Sequence, residues 1–72
     1  MPKFSVEIVL GIRYGGHRCI ERYKIKAKNT RGAILKIGKH KGLKFRCACN
    51  TGDAVRYDAI NTDISVFLKE TE

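Results

Sequence analysis

Arg22, Lys24, Lys26 and Lys28 occupy every second position of one stretch. On an extended chain this spacing puts all four on one face, roughly 6–7 Å apart. Such a row can track the phosphates of a nucleic-acid strand, holding the backbone by charge. Arg13, Arg18, Lys3, Lys44 and Arg46 extend the same positive surface. A solvated sheet face, or an edge strand kept from aggregating by lysines, would have a similar composition. The density of charge favours a partner, because roughly ten cations on one face repel one another unless an anion lies among them. Base readout is not expected. Phe67 is the only aromatic assigned to that face, so the paired stacking aromatics of an RNA-recognition sheet are missing. Contacts should therefore be led by the nucleic-acid backbone and weakly selective for sequence.

Arg13-Tyr14-Gly15-Gly16-His17-Arg18 forms a second candidate site. A rigid turn carrying Arg, Tyr and His can enter a groove or pocket, and Arg and Tyr are common interface anchors. It is equally an ordinary turn with charged shoulders, and Tyr14 and His17 are carried forward as tip residues on that footing. Cys19, Cys47 and Cys49 form the third set. With His17 or His40 they could supply four ligands to zinc, but Cys47-x-Cys49 is too closely spaced for a zinc knuckle. Both thiols fall on the inner parity of a strand, so buried, reduced cysteines acting as small hydrophobes are expected, with no metal. Asp53, Asp58 and Asp63 read as turn formers, because a calcium loop needs a denser ligand set. There is no Gly-rich phosphate loop, nucleophile elbow or His–carboxylate cluster, so neither an enzyme nor a cofactor is expected.

These residues need elements to position them. Phe4, Val6, Ile8, Leu10 and Ile12 alternate with Lys3, Ser5, Glu7, Val9 and Gly11, the period of a half-buried strand. Gly15-Gly16 suits a two-residue hairpin turn, and residues 17–28 alternate again. With that turn, paired residue numbers sum to 31. Ile12–Cys19, Leu10–Glu21, Ile8–Tyr23, Val6–Ile25 and Phe4–Ala27 then share one face, apolar except for Glu21. Arg13–Arg18, Val9–Arg22, Glu7–Lys24, Ser5–Lys26 and Lys3–Lys28 share the other. A one-residue slip would destroy this sorting.

Asn29 is a good N-cap for a helix over 30–41, with Ala33, Ile34 and Ile37 on its apolar face and Leu35 off it. Lys39, His40 and Lys41 suit the negative pole of the helix, and Gly42 a C-cap. Phe45, Cys47 and Cys49 mark a third strand, Val55 and Tyr57 a short fourth, and Ile64, Val66 and Leu68 a fifth. Asn50-Thr51-Gly52-Asp53 and Asn61-Thr62-Asp63 read as turns. The expected fold is α+β, in ββαβββ order, with one helix on one face of a mainly antiparallel sheet.

The 72 residues are expected to form one domain, residues 1–72, with a net charge of +8. The charge is polarised. Residues 1–50 hold 13 of the 15 Lys and Arg but only Glu7 and Glu21 as acids. That distribution suits a polyanion on one side. No apolar run is long enough to span a membrane, and Met1-Pro2-Lys3-Phe4-Ser5 does not read as a secretory signal. An odd cysteine count argues against a disulfide framework, so a cytoplasmic location is expected.

The segment Ile25-x-Ala27-x-Asn29-x-x-x-Ala33, after a hairpin and before three short strands, resembles small phage-encoded proteins. Among these are anti-CRISPR proteins of ββαβββ order, which place basic patches in the nucleic-acid path of a CRISPR surveillance complex. Phage inhibitors of host RNA polymerase begin similarly. The resemblance is one of topology across residues 3–69 and transfers no functional residue. It implies a phage inhibitor of host defence, acting in the cytoplasm of a bacterial cell on nucleic acid or a nucleoprotein complex. An adaptor or homodimer using Phe67, Val9 and Ile20 as an apolar patch is the alternative expectation, and the chain could be monomer or homodimer.

Overall fold

Period-two alternation over the first ten residues produces a strand whose inner row is Phe4, Val6 and Ile8, all buried. A computed structural model supplies the structure of the chain and describes residues 2–16, 18–50, 54–60 and 62–71. Its elements are β1 (Lys3–Leu10), a 3-10 turn (Ile12–Tyr14), β2 (Arg18–Lys26), α1 (Thr30–Lys41), β3 (Phe45–Asn50), β4 (Val55–Ala59) and β5 (Ile64–Glu70). The five strands form one antiparallel sheet in the order β2-β1-β5-β4-β3. This is the expected ββαβββ α+β fold, with β5 inserted between the first hairpin and the last.

The hairpin departs from the expected register. Lys3 pairs with Lys26, Phe4 with Ile25, Val6 with Tyr23 and Glu7 with Arg22, two residues away from the two-residue-turn arrangement. A two-residue shift preserves side-chain parity, so the apolar and basic rows stay sorted although every partner changes. The cause is the loop. Gly11 and Gly15 both take positive φ, at 80°. Gly16 N–H donates to the Gly11 carbonyl at 2.8 Å, closing the chain around the 3-10 turn. The strands therefore stop at Leu10 and Arg18 instead of running up to Gly15-Gly16. β2 also ends early, at Lys26: the Ala27 N–H donates to the Pro2 carbonyl in the same register, but Pro2 has no N–H to return a bond. An irregularity between Ile8 and Val9 leaves Ile20 as the extra residue on β2 and sets Cys19 opposite Val9, not opposite Ile12.

α1 covers one face of the sheet. The Asn29 side chain accepts from Gly32 N–H at 2.8 Å, and Gly42 caps the other end at φ 70°. Ala33, Ile34 and Ile37 face inward, and Leu35 is two-thirds exposed, as its position off the stripe requires. The core joins these three to Phe4, Val6, Ile8, Ala27, Tyr57, Val66 and Leu68. Tyr57 reaches the helix start, donating to Thr30 Oγ1 at 3.5 Å. Glu21, the one acid in the inner row, lies opposite Ile8 instead of Leu10 and pairs with Lys41 in the last helical turn at 2.5 Å. That contact raises the Lys41 pKa, and burial raises that of the neighbouring Tyr23. Among the described residues no helix is long and apolar enough to cross a membrane.

The two glycines within α1 are not equivalent. A Cβ on Gly38 would lie 2.6 Å from the Leu43 carbonyl oxygen, a backbone atom. At Gly32 the nearest neighbours would be 3.4 and 3.8 Å away, in ordinary contact. Gly32→Ala should stabilise the fold by up to about 1 kcal/mol through helix propensity. Gly38→Ala should destabilise it by about 1–2 kcal/mol, because displacing the helix exit outweighs the same propensity gain. Urea unfolding of the two variants checks the opposite signs.

Candidate nucleic-acid interface

The sheet face away from α1 takes its composition from strand parity. β1 contributes Lys3, Ser5, Glu7 and Val9 to it, and β2 contributes Arg22, Lys24 and Lys26 through direct pairing. β5 adds Ser65, Phe67 and Lys69, β4 adds Arg56 and Asp58, and β3 adds Arg46 opposite Asp58. Seven cations thus share this face with two carboxylates.

Both carboxylates are held by arginines. Arg22 Nη2 lies 2.8 Å from Glu7 Oε2, with a hydrogen bond from Nε at 3.0 Å. The Glu7 hydrogen bond is the main reason the Arg22 pKa is raised, with Cys19 adding to it. Asp58 is buried. Its Oδ1 accepts from Ser65 Oγ at 2.7 Å, its Oδ2 accepts from Arg56 Nη2 at 3.2 Å, and Arg56 Nε lies 3.2 Å from Oδ1. Asp58 is therefore a buried strand residue, not the turn former its type suggested. Lys3, Lys24, Lys26 and Lys69 form no ion pair with any described residue. Lys24 and Lys69 flank Ser5 on the neighbouring strands, while Lys3 sits beside Lys26. The four lysines consequently crowd one corner of the face.

Phe67 occupies the middle of the face, half-buried on the central strand, between Glu7 and Arg56. Two shallow depressions meet there. One of about 410 Å³ is lined by Ser5, Glu7, Arg22, Phe67 and Lys69 among others. A smaller one of about 130 Å³ is lined by Cys49, Ala54, Arg56 and Phe67.

Of the predicted binding residues, Arg22, Lys24 and Lys26 come together here, with Lys3, and Arg46 shares the face from the opposite edge strand. Three do not. Lys28 lies beyond the end of β2, beside the helix start with Asn29 and Arg31, because the strand stops at Lys26. Arg18 pairs with Leu10 and so follows the parity of the inner row, a consequence of the bulge. Lys44 precedes β3 and lines a cleft against the helix. Arg13 lies in the 3-10 turn, its side chain outside the description, and His17, residues 51–53 and Asn61 are outside the described residues. Tyr14 is exposed on a broader loop than the expected tight tip. Lys69 and Arg56 were missed, although Lys69 follows Phe67 by two and so shares its parity.

The expected burial of the cysteines is overturned. Cys47 and Cys49 are exposed on the edge strand β3, and Cys19 is half-buried near Arg22. All three thiols are free, and no three His, Cys, Asp or Glu among the described residues are placed to hold a metal ion. Of the expected apolar patch, Val9 is fully buried and Phe67 half-buried, and Ile20 alone of the three is exposed. A second exposed apolar surface lies against the helix. Leu35 and Ile60 line a cleft of about 480 Å³ between α1 and β3, with Leu43 and Phe45, and with Lys39 and Lys44 alongside. No protein-family model matches the chain, and neither a curated protein nor a solved structure is detectably similar to it.

The two carboxylates should differ in what they contribute to stability. Asp58→Asn removes the partner of a part-buried guanidinium and should cost about 2–3 kcal/mol, below the roughly 3–5 kcal/mol of a fully buried pair because Arg56 is one-third exposed. Glu7→Gln breaks a pair whose arginine is 73% exposed and should cost under about 1 kcal/mol. Denaturant midpoints of the two variants, measured side by side, check this ranking.

Proposed function

We propose that this chain is a small non-catalytic protein that binds nucleic acid, or a nucleic-acid-handling complex, through the helix-free face of its sheet. The observation that carries this reading is the excess of seven cations over two arginine-held carboxylates, with four unpaired lysines at one corner. Close like charges raise the energy of the free protein, and a bound polyanion lowers it. The +8 net charge acts in the same direction. A phage-encoded inhibitor of host defence, acting in the bacterial cytoplasm, fits this reading and the topological resemblance to anti-CRISPR proteins.

A second reading concerns a protein partner at the cleft between α1 and β3. Leu35, two-thirds exposed, and Ile60 supply an apolar contact there, and Lys39 and Lys44 would favour an acidic partner. Salt separates the two. Phosphate binding loses affinity steeply with log[salt], whereas an apolar contact does not.

Lys24→Glu combined with Lys26→Glu should abolish polyanion binding and leave the unfolding midpoint within about 0.5 kcal/mol of wild type, because both residues are exposed. In wild type the slope of log K against log[salt] should be strongly negative, about −0.7 to −0.9 per phosphate engaged. Unchanged affinity of the double variant for DNA and RNA would remove this face from consideration.

A further inference from the structure

The charges on the outer face explain attraction to an anion but not the aromatic at their centre. Phe67 lines both depressions, and the larger, at about 410 Å³, falls within the size range of small-molecule sites. Its neighbours are chemically graded. Glu7 and Asp58 lie on the two strands flanking β5, so the middle of the face is nearly neutral. Lys69, two residues along the same strand, begins the unpaired lysine corner that continues through Lys24, Lys26 and Lys3. An aromatic on a nearly neutral floor beside a cationic corner matches the two parts of one nucleotide, a flat apolar base and an anionic phosphate.

Duplex nucleic acid does not present that combination, since its base faces are stacked inside and only phosphates and groove edges are offered. An inorganic polyanion offers no base at all. We infer that the face takes single-stranded nucleic acid, one base stacking on Phe67 and the adjoining phosphates resting on Lys24 and Lys69. This inference rests on the polyanion-binding reading above and narrows its ligand. With a single platform, selectivity among bases is weak.

The test uses the full chain and three probes compared per phosphate at equal salt: a labelled single-stranded oligonucleotide of about ten nucleotides, in the range one such site covers, its duplex, and inorganic polyphosphate. Fluorescence anisotropy is used for the nucleic acids and competition for the polyphosphate. Wild type should bind the single strand tighter than either alternative at equal salt. Phe67→Leu should weaken single-strand binding about five- to a hundred-fold, the usual effect of losing one stacked base. It should leave polyphosphate affinity and the salt slope unchanged, and Phe67→Tyr should restore single-strand binding. If Phe67→Leu does not fold, the wild-type ranking of the probes and the Phe67→Tyr affinity decide. Equal affinity for all three probes, or an unaltered affinity in folded Phe67→Leu, overturns the single-strand inference and leaves polyanion binding standing. Failure of wild type to bind any of the three overturns the broader reading as well.

Discussion

One helix can cover only one face of a sheet, and the rest of this molecule is arranged around that limit. α1 has 12 residues, about 18 Å of helix, and the five strands span about 19 Å between their outer axes. The helix packs on one side and leaves nothing for the other. The covered face therefore carries Phe4, Val6, Ile8, Tyr57, Val66 and Leu68, packed on Ala33, Ile34 and Ile37. The uncovered face must stay in water without exposing a broad apolar surface, and it is built from charge. Its cationic bias is a separate matter: solubility would be met by mixed signs, so the excess of lysines asks for a functional reason.

Parity was legible in the sequence, and register was not. Which residues share a face follows from the alternation of apolar and charged types at every second position, visible in β1 and β2 without coordinates. Register is set by the loop, and there two glycine-containing solutions compete. Gly15-Gly16 fits a two-residue turn, but Gly11 also accepts a positive φ, which permits the longer loop around Ile12–Tyr14. Because the two solutions differ by two residues, both sort apolar from basic, and the sorting could not choose between them. The same ambiguity explains Lys28 and Arg18. Lys28 was assigned by extending a strand that ends where Pro2 has no N–H to return a bond, and Arg18 by counting through a bulge.

Burial was less legible than parity because it depends on position across the sheet. Cys47 and Cys49 have the types and spacing of core residues, but Cys47 lies on the edge strand and an irregularity between the two sets Cys49 opposite Arg56, on the helix-free face. Val9 has the parity of an exposed residue but sits one strand in from the β2 edge, beside buried Ser65, and is itself buried. Asp58 was assigned to a turn on its type. Yet Arg56-x-Asp58 puts a guanidinium and a carboxylate on the same side of one strand, and Ser65 stands opposite in the next. Strand order, and for Cys49 the bulge, decided these cases, and neither is contained in local pattern.

On the proposed reading, the helix-free face divides its charges between two tasks. Arginine suits the fixed task, since its planar fork can engage a carboxylate through two nitrogens, and Arg22 and Arg56 are both used that way. Lysine suits the other, being a mobile point charge that gives up water to an anion and regains it on release. The two sets lie on different parts of the face, the arginine pairs across its middle and the lysines at one corner. An anion arriving at the lysines therefore breaks no ion pair that supports the sheet, and its departure leaves none unpaired. A surface divided in this way can bind and release without a change of fold, which a 72-residue chain with one helix and a modest core has little stability to support.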